Sequence, residues 1–298
     1  MGANESKVPE RILKMRSDWA AGDAKRDAGL TEPGDVEQFK NLSYGPYGEE
    51  NLLDVYRPAD RKGEVLPIIV SIHGGGFFYG DKELYRFYCL HLAQFGFAVV
   101  NFNYRLSPIY HFPAPLEDTL ALMNWISANA DTYGMDKSKL FLVGDSAGAQ
   151  LSANYAGIYS NPEFAKAYGF SHPADVKLIG VSLACGLYDL LATKAEGDEM
   201  IGDYLGEDYD PKDPRFKLLD YVTADYPPAY VFSCVNDFLY AACEPYAKLI
   251  NERGGHAESK IYGTKEETEV SHVFHLNMRL PIGETANQDQ IAFFRKLL

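Results

Sequence analysis

Leu66-Pro67-Ile68-Ile69-Val70-Ser71-Ile72 is a nearly unbroken apolar run, the pattern of a strand covered on both faces. Ala98–Phe102, Leu140–Val143, Leu178–Leu183 and Tyr230–Phe232 repeat that character. Between these runs the spacing predicts helices near 83–95, 115–130, 146–159 and 241–253. Earlier stretches, Phe39–Tyr44 and Asn51–Tyr56, read as extended, and Ser259–Tyr262 reads as the last strand. Val8, Ile12, Met15 and Trp19 lie on one face of an N-terminal helix. Alternating strand and helix predict an α/β sandwich round a mostly parallel sheet. One stretch breaks the rhythm: residues 185–228 are rich in Asp, Gly, Tyr and Pro, and read as an insertion with its own small structure. The chain is expected to form one domain over 1–298.

Charge narrows the partners. The 28 basic and 42 acidic side chains give a net −14, which phosphate backbones would repel, so nucleic-acid binding is not expected. No apolar run approaches the roughly 18 residues of a membrane span, and the N-terminus lacks the apolar stretch of a signal peptide. Met1–Ser6 fits the loose N-myristoylation pattern, and Asn4-Glu5-Ser6 and Asn41-Leu42-Ser43 fit glycosylation patterns. Cys89, Cys185, Cys234 and Cys243 have no metal-like spacing and are expected as buried thiols. A cytoplasmic location is the expectation, with no membrane contact.

The chemistry concentrates in two glycine-rich turns. Gly144-Asp145-Ser146-Ala147-Gly148 follows the run Leu140–Val143 and opens a helical pattern. Flanking glycines let such a turn hold a serine in a strained, exposed position, with the Ala147 N–H free at the helix start. His73-Gly74-Gly75-Gly76 follows the Leu66–Ile72 run, where backbone N–H groups could aim at one point unobstructed by side chains. A nucleophilic serine needs a base and an orienting acid. His256, His272 and His275 lie late enough to be the base; His256 precedes the last strand, and the other two follow it. Asp237 follows the penultimate strand and is the expected acid, with Asp189 the fallback.

Together these residues resemble the bacterial hormone-sensitive-lipase-like esterases, a group of the α/β-hydrolase superfamily, from about residue 50 to the C-terminus. Tyr104-Arg105-Leu106-Ser107-Pro108, Phe112-Pro113-Ala114 with Asp118, and His272-Val273-Phe274 are similar to further signatures of that family. The resemblance implies an α/β-hydrolase fold, a triad of Ser146, Asp237 and His272, and an oxyanion hole from the N–H groups of Gly74, Gly75 and Ala147. It also implies a helical cap from about 1–35 and 186–222, and a homodimer. The sequence departs from the family in Ala149, in Ile109, and in Thr264–Ser271, which lacks the customary glycine before the histidine and keeps His275 in play. Arg105 and Asp118 read as a structural pair, and His73 as a brace for its loop.

The expected function is a serine carboxylesterase acting on small esters with short, acetyl-type acyl groups through an acyl-enzyme. No metal or organic cofactor is implied. Two alternatives stand beside it: a carbohydrate O-deacetylase, and a non-catalytic small-molecule receptor on the same fold. Tyr188, Tyr204, Tyr209, Tyr221 and Tyr226 of the insertion could stack on sugars, line an acyl pocket or equally serve as packing.

Overall fold

The computed structural model describes residues 8–298, so the Met1–Ser6 and Asn4-Glu5-Ser6 patterns lie outside the described residues. Among the described residues eight strands form one sheet: β1 (Val36–Ser43), β2 (Leu52–Pro58), β3 (Leu66–Ile72), β4 (Ala98–Phe102), β5 (Met135–Asp145), β6 (Leu178–Ala184), β7 (Ala229–Cys234) and β8 (Ala257–Tyr262). Their order is β1-β2-β4-β3-β5-β6-β7-β8. β1 and β2 run antiparallel to their neighbours, and every pairing from β4 through β8 is parallel.

The unbroken apolar runs are strands buried on both sides. In β3, Ile68, Val70 and Ile72 enter one core and Ile69 the other; in β5, Leu140 and Leu142 oppose Phe141 and Val143 in the same way. Among the described residues ten helices flank the sheet or cross its ends: α1 (Glu10–Asp27), α2 (Arg86–Gln94), α3 (Ala114–Asn129), α4 (Ala147–Ser160), α5 (Pro162–Tyr168), α6 (Leu190–Ala195), α7 (Glu199–Leu205), α8 (Leu218–Tyr221), α9 (Cys243–Glu252) and α10 (Pro281–Arg295). The apolar faces of α3, α4 and α9 fill one core, and those of α2 and α10 fill the other.

This division fixes where a site can form. β3 and β5 are neighbours, yet β3 leads to α2 on one face and β5 to α4 on the opposite face. The loops leaving their carboxyl ends therefore part, and a crevice opens at this switch point. Both glycine-rich turns sit there.

The insertion between β6 and β7 folds into α6, α7, a short 3-10 turn at Pro214–Phe216, and α8. α1 lies beside it: Arg11 reaches Asp203 of α7 at 2.5 Å, and Val8 and Ile12 pack with Phe78, Met15 and Met200. The five insertion tyrosines are packing residues. Tyr204 stacks on Phe77 with ring centroids 3.9 Å apart, Tyr188 stacks on Tyr246 at 3.9 Å, and Tyr221 stacks on Phe164 at 4.4 Å. Tyr226 donates to the Ala153 carbonyl, and Tyr209 meets Phe216 edge-on.

α5 and α10 were not among the helices expected from spacing. Each begins at a proline, which suits the first helical turn where no N–H partner is needed. β5 also starts five residues before the expected run, because Met135 and Asp136 pair with Leu66 and Pro67 across a register shift.

Candidate active site

Ser146 sits between β5 and α4 with φ 52° and ψ −119°, a conformation that costs a non-glycine residue about 1–3 kcal/mol. The flanking glycines are required by close backbone approach. A Cβ on Gly144 would lie 2.3 Å from the Gly148 carbonyl oxygen, and one on Gly148 would lie 2.0 Å from that of Ile72. The elbow is anchored by the Ser146 N–H, which donates to the Ala184 carbonyl at 2.9 Å. The Ser146 hydroxyl has no hydrogen-bond partner among the described residues, and such catalytic contacts are commonly long in the absence of substrate.

His272 Nδ1–H donates to Asp237 Oδ1 at 2.7 Å. Asp237 is 2% exposed, and its carboxylate also accepts from the Leu239 N–H at 2.9 Å and the Ser233 hydroxyl at 2.5 Å. Burial works to raise its pKa, but the His272 hydrogen bond and charge, with Ser233 and Leu239, outweigh it and hold the carboxyl below its ordinary range. The proton on Nδ1 leaves Nε2 with its lone pair, as a general base requires.

The two loops are tied together. Asn236 donates through Nδ2 to the carbonyls of Thr264 and Glu267, both at 3.0 Å, and Asn236 and Ser271 form a parallel bridge. The stretch without the customary glycine is thus held by the residue preceding the acid. The left-handed position falls instead at Val273, with φ 55°. Replacing Asn236 with alanine should cost about 1 kcal/mol in urea unfolding and lower turnover by about tenfold, because the exposed Thr264 and half-buried Glu267 carbonyls lose the donor that ties their loop to the acid's.

The alternatives sort cleanly. His275 is 1% exposed, with its ring edge-on to Tyr88 and Phe232, and burial pushes its pKa down to about 3. Its Nδ1 has no partner among the described residues. Asp189 is exposed and caps α6 by accepting from the Ala192 N–H at 2.9 Å. His256 is exposed on the approach to β8.

The glycine loop requires a correction. The Gly74 N–H, expected in the oxyanion hole, donates to the Tyr85 hydroxyl at 2.8 Å. The N–H groups of Gly75, Gly76 and Ala147 have no acceptor among the described residues. Gly75 and Gly76 adopt φ of 109° and 60°, and a Cβ on Gly75 would meet the Tyr79 carbonyl oxygen at 2.0 Å. The loop is buttressed from several sides. His73, pushed down to about 4 by burial, stacks on Tyr104 at 4.0 Å, and Lys82 beyond the loop pairs with buried Asp54 at 3.0 Å. Arg105 and Asp118 form a buried pair at 2.9 Å. Arg16 and Arg26 of α1 donate to the carbonyls of Phe78 and Leu84.

A cavity of about 310 Å³ joins these parts; Ser146, Ala147, Gly75, Gly76 and His272 line it. Its outer walls come from α1 through Trp19, and from α7 through Met200 and Ile201. None of the five insertion tyrosines reaches it. Ligand atoms of Cys185, Asp237 and His272 lie within 4.8 Å of one another, a spacing that could hold a metal. The Nδ1–H···Oδ1 bond already joins two of the three, so the cluster is accounted for as proton chemistry.

Residues 69–276 match the family model described as alpha/beta hydrolase fold. The chain belongs to the alpha/beta hydrolase fold family. Within that family it is 40% identical over 168 residues to versiconal hemiacetal acetate esterase of Dothistroma septosporum, covering 50% of this chain and 51% of that protein. It is 29% identical over 264 residues to acetyl esterase of Salmonella dublin, covering 84% and 77% of the two chains. Among solved structures, esterase B from Lactobacillus rhamnosis inhibited by a C4-C4 SN3 tributyrin phosphonate aligns with a TM-score of 0.88 at 26% identity, over 99% of this chain and 96% of that one. The chain spans 51–58% of the length of the first curated relatives it matches. No helix among the described residues is long and apolar enough to cross a membrane.

Proposed function

We propose that this chain is a serine carboxylesterase for small esters with short acyl groups. One observation carries the reading: the Asp237–His272 hydrogen bond of 2.7 Å stands at the same 310 Å³ cavity as a serine on a strained elbow. The acetyl and other esterases among its relatives support the same reaction class.

Ser146 attacks the ester carbonyl while His272 Nε2 takes its proton; Asp237 holds the tautomer and stabilises the imidazolium. The N–H groups of Gly75, Gly76 and Ala147 receive the oxyanion, with Gly76 replacing Gly74 in the expected set. His272 returns its proton to the departing alkoxide, then activates water to release the acid from the acyl-enzyme. α1 and the insertion act as the cap, since both supply walls of the cavity.

A volume of 310 Å³ is at the small end for ligand pockets, which favours short substrates. Hydrolysis of p-nitrophenyl esters should peak at acetyl to butyryl, with kcat/KM falling about tenfold or more by octanoyl. A flat or rising profile would remove the short-chain assignment. The sugar-ester alternative loses its main support, because the insertion tyrosines pack into the protein and do not line the cavity. A receptor role has no observation in its favour while Ser146, Asp237 and His272 are all present. Four free, buried cysteines suit a reducing compartment, and on that basis we assign the enzyme to the cytoplasm. Homodimerisation is carried by the family resemblance alone, and analytical sedimentation would read it directly.

A further inference from the structure

Tyr85 and Asp145 are buried polar residues that the proposed mechanism does not use. Tyr85 immediately precedes α2, and Asp145 is the last residue of β5, next to the nucleophile. The Tyr85 hydroxyl donates to Asp145 Oδ2 at 2.8 Å and accepts from the Gly74 N–H at 2.8 Å. A single chain of hydrogen bonds therefore runs from the glycine loop, through the start of α2, to the strand that presents Ser146. Asp145 and Gly74 are also in tight register: a Cβ on Gly74 would lie 2.5 Å from Asp145 Oδ2 and 2.9 Å from the Asp145 carbonyl oxygen. The absence of a side chain at Gly74 is what lets the carboxyl stand beside the loop.

We infer that Tyr85 and Asp145 are positioning residues for the oxyanion hole. By accepting the Gly74 N–H, Tyr85 occupies that donor and sets the direction of the next two peptides. Those next N–H groups belong to Gly75 and Gly76, the ones with no partner in the loop. Asp145 in turn fixes the Tyr85 hydroxyl, so that its lone pair and not its proton faces Gly74. The elbow and the oxyanion loop, which must hold the carbonyl carbon and its oxygen in one geometry, are thereby tied by a link at the wall of the same cavity. Either protonation state of Asp145 can serve, since a carboxyl C=O accepts the Tyr85 proton as a carboxylate does. Burial pushes Asp145 up to about 7, which lessens the negative charge held beside the developing oxyanion.

This inference rests on the esterase reading, and its test separates the two. Tyr85→Phe should lower kcat on p-nitrophenyl butyrate by about 10- to 100-fold while KM stays within about twofold, because misaligned donors matter most in the transition state. Asp145→Ala should behave alike, whereas Asp145→Asn keeps an acceptor for Tyr85 and should retain kcat within about threefold. The double variant Tyr85→Phe/Asp145→Ala should be no slower than the slower single, as expected of two members of one link. Wild-type kcat in Tyr85→Phe, or equal losses in Asp145→Asn and Asp145→Ala, overturns the positioning role and leaves the esterase reading intact. Amide hydrogen exchange reads the link without turnover and decides it even for a chain inert toward esters. Residues 73–80 should exchange faster in Tyr85→Phe while β5 and α4 are unchanged; identical exchange in that loop overturns the inference.

Discussion

Ser146→Ala should abolish ester turnover, lowering kcat by about a millionfold and leaving only what binding and the oxyanion donors supply. The protein should otherwise be unaltered. The Ser146 hydroxyl holds no other group among the described residues, and alanine bears the same positive φ at the same cost. Thermal unfolding of the variant should therefore match the wild type within about one degree. Covalent labelling by a fluorophosphonate should disappear with the activity, since the nucleophilic oxygen is gone. A variant retaining more than about one per cent of wild-type turnover would mean that the chemistry lies elsewhere.

The features legible in the sequence are those fixed by neighbours along the chain. Both glycine turns and the strands that carry them follow from local pattern and spacing, whereas the triad of Ser146, Asp237 and His272 is what the family resemblance implies. The parallel sheet follows from alternating apolar runs and helices. What spacing could not give depends on contacts between distant segments. Gly74 and Gly76 are equivalent in a run of three glycines. Only Tyr85, eleven residues on, distinguishes them by taking one N–H. Asn236 reads as an ordinary loop residue until the chain brings Thr264 and Glu267 to it. The insertion tyrosines looked available for substrate because composition says nothing about direction; their rings turn into the protein against Phe77, Tyr246 and Phe164. His275 competes because it lies three residues from His272, but it is buried, and its Nδ1 has no partner among the described residues.

Asp237→Asn should separate the two services that an orienting acid performs. The Oδ1 position is approached by two donors, His272 Nδ1–H at 2.7 Å and the Leu239 N–H at 2.9 Å. An amide nitrogen there would face both, so the asparagine should place its oxygen at that position and its NH₂ toward the Ser233 hydroxyl, which can accept. His272 then keeps its proton on Nδ1 and its orientation, and only the negative charge opposite the imidazolium is lost. The expected fall in kcat is about 10²- to 10³-fold with KM little changed, and Asp237→Ala, which removes the acceptor as well, should fall to about 10⁴-fold. Asp189→Asn should remain within about twofold of wild type, because that carboxylate caps α6 at the surface. Stability carries an independent signature. Because the folded carboxyl of Asp237 is held below its ordinary value, the unfolded chain binds more protons near pH 4, and stability rises with pH there. That contribution is complete above about 3.9, the ordinary aspartate value, and is lost as pH falls through the folded pKa. Asp237→Asn has no such proton to exchange, so its acid unfolding should show a shallower dependence below about pH 4 than the wild type. Full activity in Asp237→Asn, or equal losses in the asparagine and alanine variants, would overturn this division of labour.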